Sequence, residues 1–233
     1  MTATVKKALK HLLDIGVTEL YHANSVLTSC EFLRQGALLS RGTIEALKLR
    51  QTSQYTDRLD KHYNIWNDVF VDTVDIHHRG RMPNDYGPVM FVLDTEKLMN
   101  ELSTGVIGFT QYNPSKWGSV KVSRRWFADL EAVEEEFDVN DFDHMVVFRH
   151  CGGHVSLKNS LKRIVVDAPE DVEGMGVDLF SYALGSLKHA MHLGPKTCTV
   201  ERRECRAGCG CKATYEADLD RVRKMYRPFL QKA

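Results

Sequence analysis

The sequence predicts an α+β fold, a core of several mostly antiparallel strands with flanking helices. Three observations predict it. Apolar residues recur at helical spacing in several separate stretches, while other stretches alternate apolar with polar residues or run continuously apolar. These two kinds of segment follow one another without the strict strand and helix alternation of a doubly wound sheet.

Residues 3–15 place Val5, Ala8, Leu12 and Ile15 on one face with lysines opposite, an amphipathic helix ending at Gly16. Residues 19–22 read as a short strand, 25–35 as a second helix stopped by Gly36, and 37–39 as a short extended piece. Over 43–63 helix formers give way to Gln51, Thr52, Ser53 and Gln54, which predicts a helix and then an irregular segment. Period-two alternation makes 68–76 a strand. The polar cluster of Arg81, Pro83, Asn84 and Asp85 makes 80–87 a loop, and the apolar run 88–93 reads as a buried strand. A short helix at 98–102, a strand at 106–109 and a polar loop at 111–118 follow. Residues 124–137 carry Trp126, Phe127, Leu130 and Val133 at helical intervals and predict an amphipathic helix. Short strands at 145–148, 154–157 and 163–167 and a helix at 176–192 complete the pattern. The expected organisation is a domain over 1–194 and a cysteine-rich tail over 195–233 with a terminal helix packed on it.

Thirty-one basic residues against 31 acidic ones exclude the overall basic bias of a protein that coats nucleic acid, so any such contact is local, as at Lys158, Lys162 and Arg163. No window approaches the roughly 20 apolar residues that span a bilayer, and the lysine-bearing start lacks the pattern of a secretory leader. A cytoplasmic protein without a membrane partner is expected. Cys198, Cys205, Cys209 and Cys211 cluster near the end, while Cys30 and Cys151 stand alone.

Four constellations can carry chemistry. His22, Asn24 and Ser25 fall where a strand hands over to a helix, beside helix amides that suit a phosphate; equally, Asn24 or Ser25 is simply a helix cap. Asp, His and Arg are dense around 68–79, with Asp68 and Asp72 on the strand and Asp75, His77 and His78 as possible metal ligands; a solvated strand end explains them equally well. Arg149, Cys151 and His154 flank Gly152 and Gly153 in a turn that is either a nucleophile pair or a plain hairpin. The four clustered cysteines match the ligand count of structural zinc, with reduced thiols as the alternative.

Taken in order, the motifs Leu20-Tyr21-His22-Ala23-Asn24-Ser25, Phe32-Leu33-Arg34-Gln35-Gly36-Ala37-Leu38-Leu39-Ser40-Arg41, then Arg58, Val69-Phe70-Val71-Asp72 and Tyr86-Gly87-Pro88-Val89-Met90-Phe91-Val92-Leu93 resemble the front half of the DarT-type nucleic-acid ADP-ribosyltransferase toxins. The RNA 2′-phosphotransferases are wider relatives. The likeness runs from about residue 20 to 167 and leaves the cysteine-rich tail outside.

The resemblance implies an ADP-ribosyltransferase-like core with NAD as substrate. By position, His22, Asn24 and Ser25 are implied to contact the nicotinamide end, and Arg58 to hold the diphosphate. Where the family carries a catalytic Glu, this chain has His154; either this imidazole takes over, which favours a general-base role, or another group such as Glu135 or Glu136 does. Lys158, Lys162 and Arg163 are the expected grip on nucleic acid, and Trp117 the expected stacking platform. The implied function is mono-ADP-ribosylation of an RNA or DNA base, as the toxin of a toxin–antitoxin or phage-defence system restrained by an antitoxin or chaperone protein. Two other readings stand beside it: an NAD-dependent RNA 2′-phosphotransferase, and a non-catalytic zinc-stabilised binding module.

Overall fold

The structure is a computed structural model that describes residues 3–102, 104–204 and 208–226. In chain order the elements are β1 (Ala3–Thr4), α1 (Val5–Asp14), β2 (Glu19–Asn24), α2 (Val26–Gln35), β3 (Ala37–Leu39), α3 (Arg41–Ala46), α4 (Asp57–His62), β4 (Val69–Val71), α5 (Ile76–Gly80) and β5 (Val89–Asp94). There follow α6 (Thr95–Glu101), β6 (Val106–Phe109), α7 (Leu130–Glu136), β7 (Val146–Arg149), β8 (His154–Ser156), β9 (Leu161–Ala168), α8 (Leu179–Leu193), β10 (Thr199–Glu204), α9 (Cys211–Ala217) and α10 (Leu219–Tyr226).

The strands form two four-stranded sheets, ordered β1-β6-β7-β4 and β10-β9-β5-β2, plus the pair β3-β8. All pairings are antiparallel except that of β10 with β9. The expected α+β class, with mostly antiparallel strands, is therefore what forms. The two large sheets meet where Tyr21 of β2 bridges Asp72, just past β4, through paired backbone hydrogen bonds of 2.9 and 2.8 Å. That junction sets the position of the site described below.

Local chemistry explains each boundary. Ser25 caps α2 through Thr28 N–H, and Gly36 ends it at φ 65°, a left-handed conformation that costs glycine nothing. The segment read as irregular after residue 50 contains α4, whose first turn carries Asp57 and Asp60 beside its unpaired amides. The strand read over 68–76 is only three residues long. Asp75 caps His77 N–H and turns the chain into α5, so the alternation beyond Val71 is not strand. The helix read over 124–137 begins only at Leu130, capped by Asp129, because Trp126 and Phe127 pair back onto β6 through Thr110 and Phe109.

The core is continuous from α1 to the end of the described chain. The tail enters it: β10 extends the second sheet, and Cys211, Tyr215, Val222 and Tyr226 are buried against the rest. Among the described residues no helix is long and apolar enough to cross a membrane.

Candidate active site

A cleft lies at the junction of the two sheets. His22 and Asn24 enter from β2, Ser40 and Arg41 from the β3–α3 turn, Asp60 from α4, Asp68 and Asp72 from either end of β4, and Tyr86 from the turn before β5. Leu39, Ile65, Phe70 and Met145 supply an apolar wall.

The imidazole of His22 is fixed by its neighbours. Nδ1 lies 2.7 Å from the Phe70 carbonyl oxygen, which only accepts, so Nδ1 carries the proton. Nε2 therefore presents its lone pair, and Asn24 Nδ2 donates to it at 3.4 Å. Asn24 is held in turn, because its Oδ1 accepts from Ser25 N–H at 2.9 Å. Burial pushes the His22 pKa down, with the Phe70 carbonyl opposing, so the ring is neutral at pH 7.

Three carboxylates, of Asp60, Asp68 and Asp72, line the same cleft. Burial, then the charge of nearby Asp57, pushes the Asp60 carboxyl up to about 6, against the Thr56 hydroxyl and Arg41. Burial also raises Asp68, but Arg149 Nε donates to it at 2.8 Å and offsets its charge. Arg41 is anchored by Asp57 at 2.7 Å and by the Thr52 carbonyl at 2.9 Å, and its guanidinium lies 5.7 Å from the Trp66 ring.

The structure brings His22 and Asn24 together as the sequence suggested, but disperses the other expected residues. Ser25 is fully buried and spent as a cap, with its hydroxyl 2.6 Å from that of Thr52. Arg58 is exposed and lines a neighbouring groove with Gln51, Ser53 and Trp66; Arg41 forms the wall common to groove and cleft. His154 is exposed on β8, where Nδ1 meets only the Gly152 carbonyl at 3.3 Å, and it does not line the cleft.

The expected nucleic-acid residues are also placed differently. Trp117 is buried, donating to the Tyr112 carbonyl at 2.7 Å and packed between Tyr63 and Trp126, so it offers no face to a base. Lys162 and Arg163 both pair with Glu19, Arg163 through two hydrogen bonds of 2.7 and 3.0 Å, which neutralises much of the expected patch. Lys158 is exposed in a turn, where its backbone N–H donates to Ser156 Oγ at 3.2 Å. Those bonds hold the Glu19 carboxyl at about 2, below its ordinary 4.5. Its stabilising effect is thus complete above pH 4.5 and is lost as pH falls towards 2. Glu19→Gln is expected to cost about 1 kcal/mol at pH 7, after allowance for solvent screening, with the difference in thermal unfolding shrinking on acidification.

The four-cysteine zinc set divides. Cys205 lies outside the described residues. Cys198 packs against Met191, its Sγ 3.9 Å from the Met191 Sδ, and burial pushes its thiol up to about 11, away from the thiolate a metal needs. Cys209 and Cys211 lie together against His77.

The missed residues are Asp60, Arg41 and Tyr86. The acid density around β4 was visible in sequence, but Asp60 sits in the stretch read as irregular. Arg41 was hidden within a longer motif.

No family model matches the sequence, and no curated protein matches it. Solved structures of DarT from Thermus sp. 2.9 are similar to this chain. The complex with ADP-ribosylated ssDNA shares 13% identity at a TM-score of 0.49, covering 80% of this chain and 94% of that one. The complex with NAD+ shares 13% identity at a TM-score of 0.48, covering 81% and 96%.

Proposed function

We propose that the chain is an NAD-dependent mono-ADP-ribosyltransferase acting on nucleic acid. The observation that carries this reading is a single cleft lined by a neutral imidazole held at both ring nitrogens, its supporting amide, carboxylates and an apolar wall. That is the environment which cleavage of the nicotinamide–ribose bond requires. As the bond breaks, nicotinamide leaves with the electron pair and positive charge develops on the sugar. A carboxylate held in a half-dry cleft stabilises that charge more than it would in water. Asp60 and Asp72 are the groups assigned to this role; the charge of Asp68 is offset by Arg149.

His22 Nε2 and Asn24 then orient the ribose hydroxyls, while Leu39, Phe70, Met145 and Tyr86 surround the nicotinamide ring. The diphosphate is assigned to Arg41 and to Arg58 in the adjoining groove. The acceptor amine loses its proton to a cleft carboxylate as it attacks the sugar.

The RNA 2′-phosphotransferase reading is weaker, because a phosphate needs several cations and this cleft opposes three aspartates with one arginine already bound to Asp57. A toxin held in check by an antitoxin, within a phage-defence system, is the role the sequence resemblance favours, in the cytoplasm and with an RNA or DNA base as acceptor.

The test is to incubate the full chain with NAD labelled in its adenylate, together with single-stranded DNA and RNA. Nicotinamide release with transfer of label to nucleic acid is expected, and His22→Ala should lower the rate about a hundredfold. Absence of both release and transfer in the parent chain would overturn the reading.

A further inference from the structure

A second cluster, outside the cleft, joins residues far apart in the chain. Cys209 and Cys211 place their Sγ atoms 2.7 Å from each other. The His77 ring lies beside both: its Nε2 is 3.9 Å from Cys209 Sγ, and its Nδ1 and Nε2 are 3.8 and 4.0 Å from Cys211 Sγ. All the ligand atoms fall within 4.8 Å of one another, a span that one ion at thiolate and imidazole bond lengths of about 2.0–2.3 Å can bridge.

Three further features distinguish this cluster from a chance contact. His77 and Cys211 are buried, so their polar atoms are removed from water. The buried carboxylate of Asp167 stands 3.6 Å from His77 Nδ1 and is itself paired with Arg203, which also holds Asp75, the residue that caps α5. A histidine that ligates through one nitrogen and faces a carboxylate with the other is the arrangement by which proteins fix a metal-binding tautomer. Finally, the chain between the cysteines is bent against α5: Gly210 N–H donates to the Arg81 carbonyl at 3.1 Å.

The geometry points to a structural metal centre in which His77, Cys209 and Cys211 hold a zinc-class divalent ion, fastening α9 to the turn that follows β4. Two thiolates and an imidazole select zinc over hard cations such as magnesium or calcium. None of the three residues lines the cleft, so the ion acts on the fold, not on the reaction. Cys198 takes no part. Independent of any catalytic activity, the centre explains how a short seven-residue helix, α9, is pinned between loops.

The experiment is elemental analysis of the full chain purified under reducing conditions, with cobalt exchange as a second readout that needs no variant. About one zinc per chain is expected, with His77→Ala and Cys211→Ser each retaining less than a tenth and Cys198→Ser retaining all of it. The cobalt-exchanged parent should show thiolate-to-cobalt charge-transfer absorption, and a chelator should lower its unfolding temperature. The proposal is overturned by a parent chain that binds neither zinc nor cobalt, by full zinc retention in His77→Ala, or by a Cys209–Cys211 disulfide detected by mass in place of bound metal.

Discussion

Asp60→Asn is expected to raise the unfolding temperature at pH 7 while cutting nicotinamide release about a hundredfold. Both effects follow from one observation, that the protein holds the Asp60 carboxyl at about 6 instead of its ordinary 3.8. Between those values the folded chain keeps a proton that the unfolded chain has released, so stability falls as pH rises through this window and does not recover above it. A shift of about two units corresponds to at most about 3 kcal/mol, and solvent access at the cleft mouth reduces this to about 1–2 kcal/mol. The amide removes that cost and should gain about 3 °C or more for a chain of this size. It also removes the negative charge that the developing sugar cation needs. Parent activity should fall as pH drops through about 6, while residual activity of the variant should lack that step. An Asp60→Asn chain that is both more stable and fully active would transfer the charge-stabilising role to Asp72.

How much of this was legible in sequence depends on whether the signal was local. β5 announced itself because it is buried on both faces and reads as an unbroken apolar run, and α2 because Ser25 and Gly36 bracket it with cap chemistry. His22 and Asn24 were found because a strand-to-helix handover is itself a local pattern. His154 was misplaced because turn composition says nothing about which way a two-stranded pair faces: β8 joins β3 outside both large sheets, and the ring points to solvent. Trp117 was misread for a similar reason, since a polar loop with one tryptophan gives no hint that Tyr63 and Trp126 will close over it. Cys198 was misread by the opposite error. Proximity in sequence gathered four cysteines, whereas the fold sets Cys209 and Cys211 beside His77, more than a hundred residues upstream, and leaves Cys198 against Met191. Arg163 and Lys162 looked like a basic patch only because Glu19, their partner, lies on another strand.

The second large effect is expected at Gly87, where the same long-range geometry sets a backbone requirement. Gly87 adopts φ +147°, and a Cβ built there would overlap the backbone of Asn24 and Ser25 instead of a flexible side-chain end. The turn cannot simply back away: Gly87 N–H donates to the Asn84 carbonyl at 3.2 Å, Tyr86 N–H to Asn84 Oδ1 at 2.8 Å, and the next residues enter β5, paired with β2 from Val89 onward. Gly87→Ala must therefore displace the strand that carries His22 and Asn24 or strain the turn that presents Tyr86. The expected cost exceeds about 3 kcal/mol, a fall of about 6–12 °C in unfolding temperature. Gly80→Ala is the matching control, because a Cβ there meets nothing within 4 Å, and its effect should stay within about 1 kcal/mol. Since the displaced atoms are those that hold Asn24 against the imidazole, any Gly87→Ala protein that still folds should also bind NAD more weakly. Unchanged melting together with unchanged NAD affinity would mean that the β2 edge and the turn before β5 do not approach as closely as described, and that the cleft between them is wider than its chemistry requires.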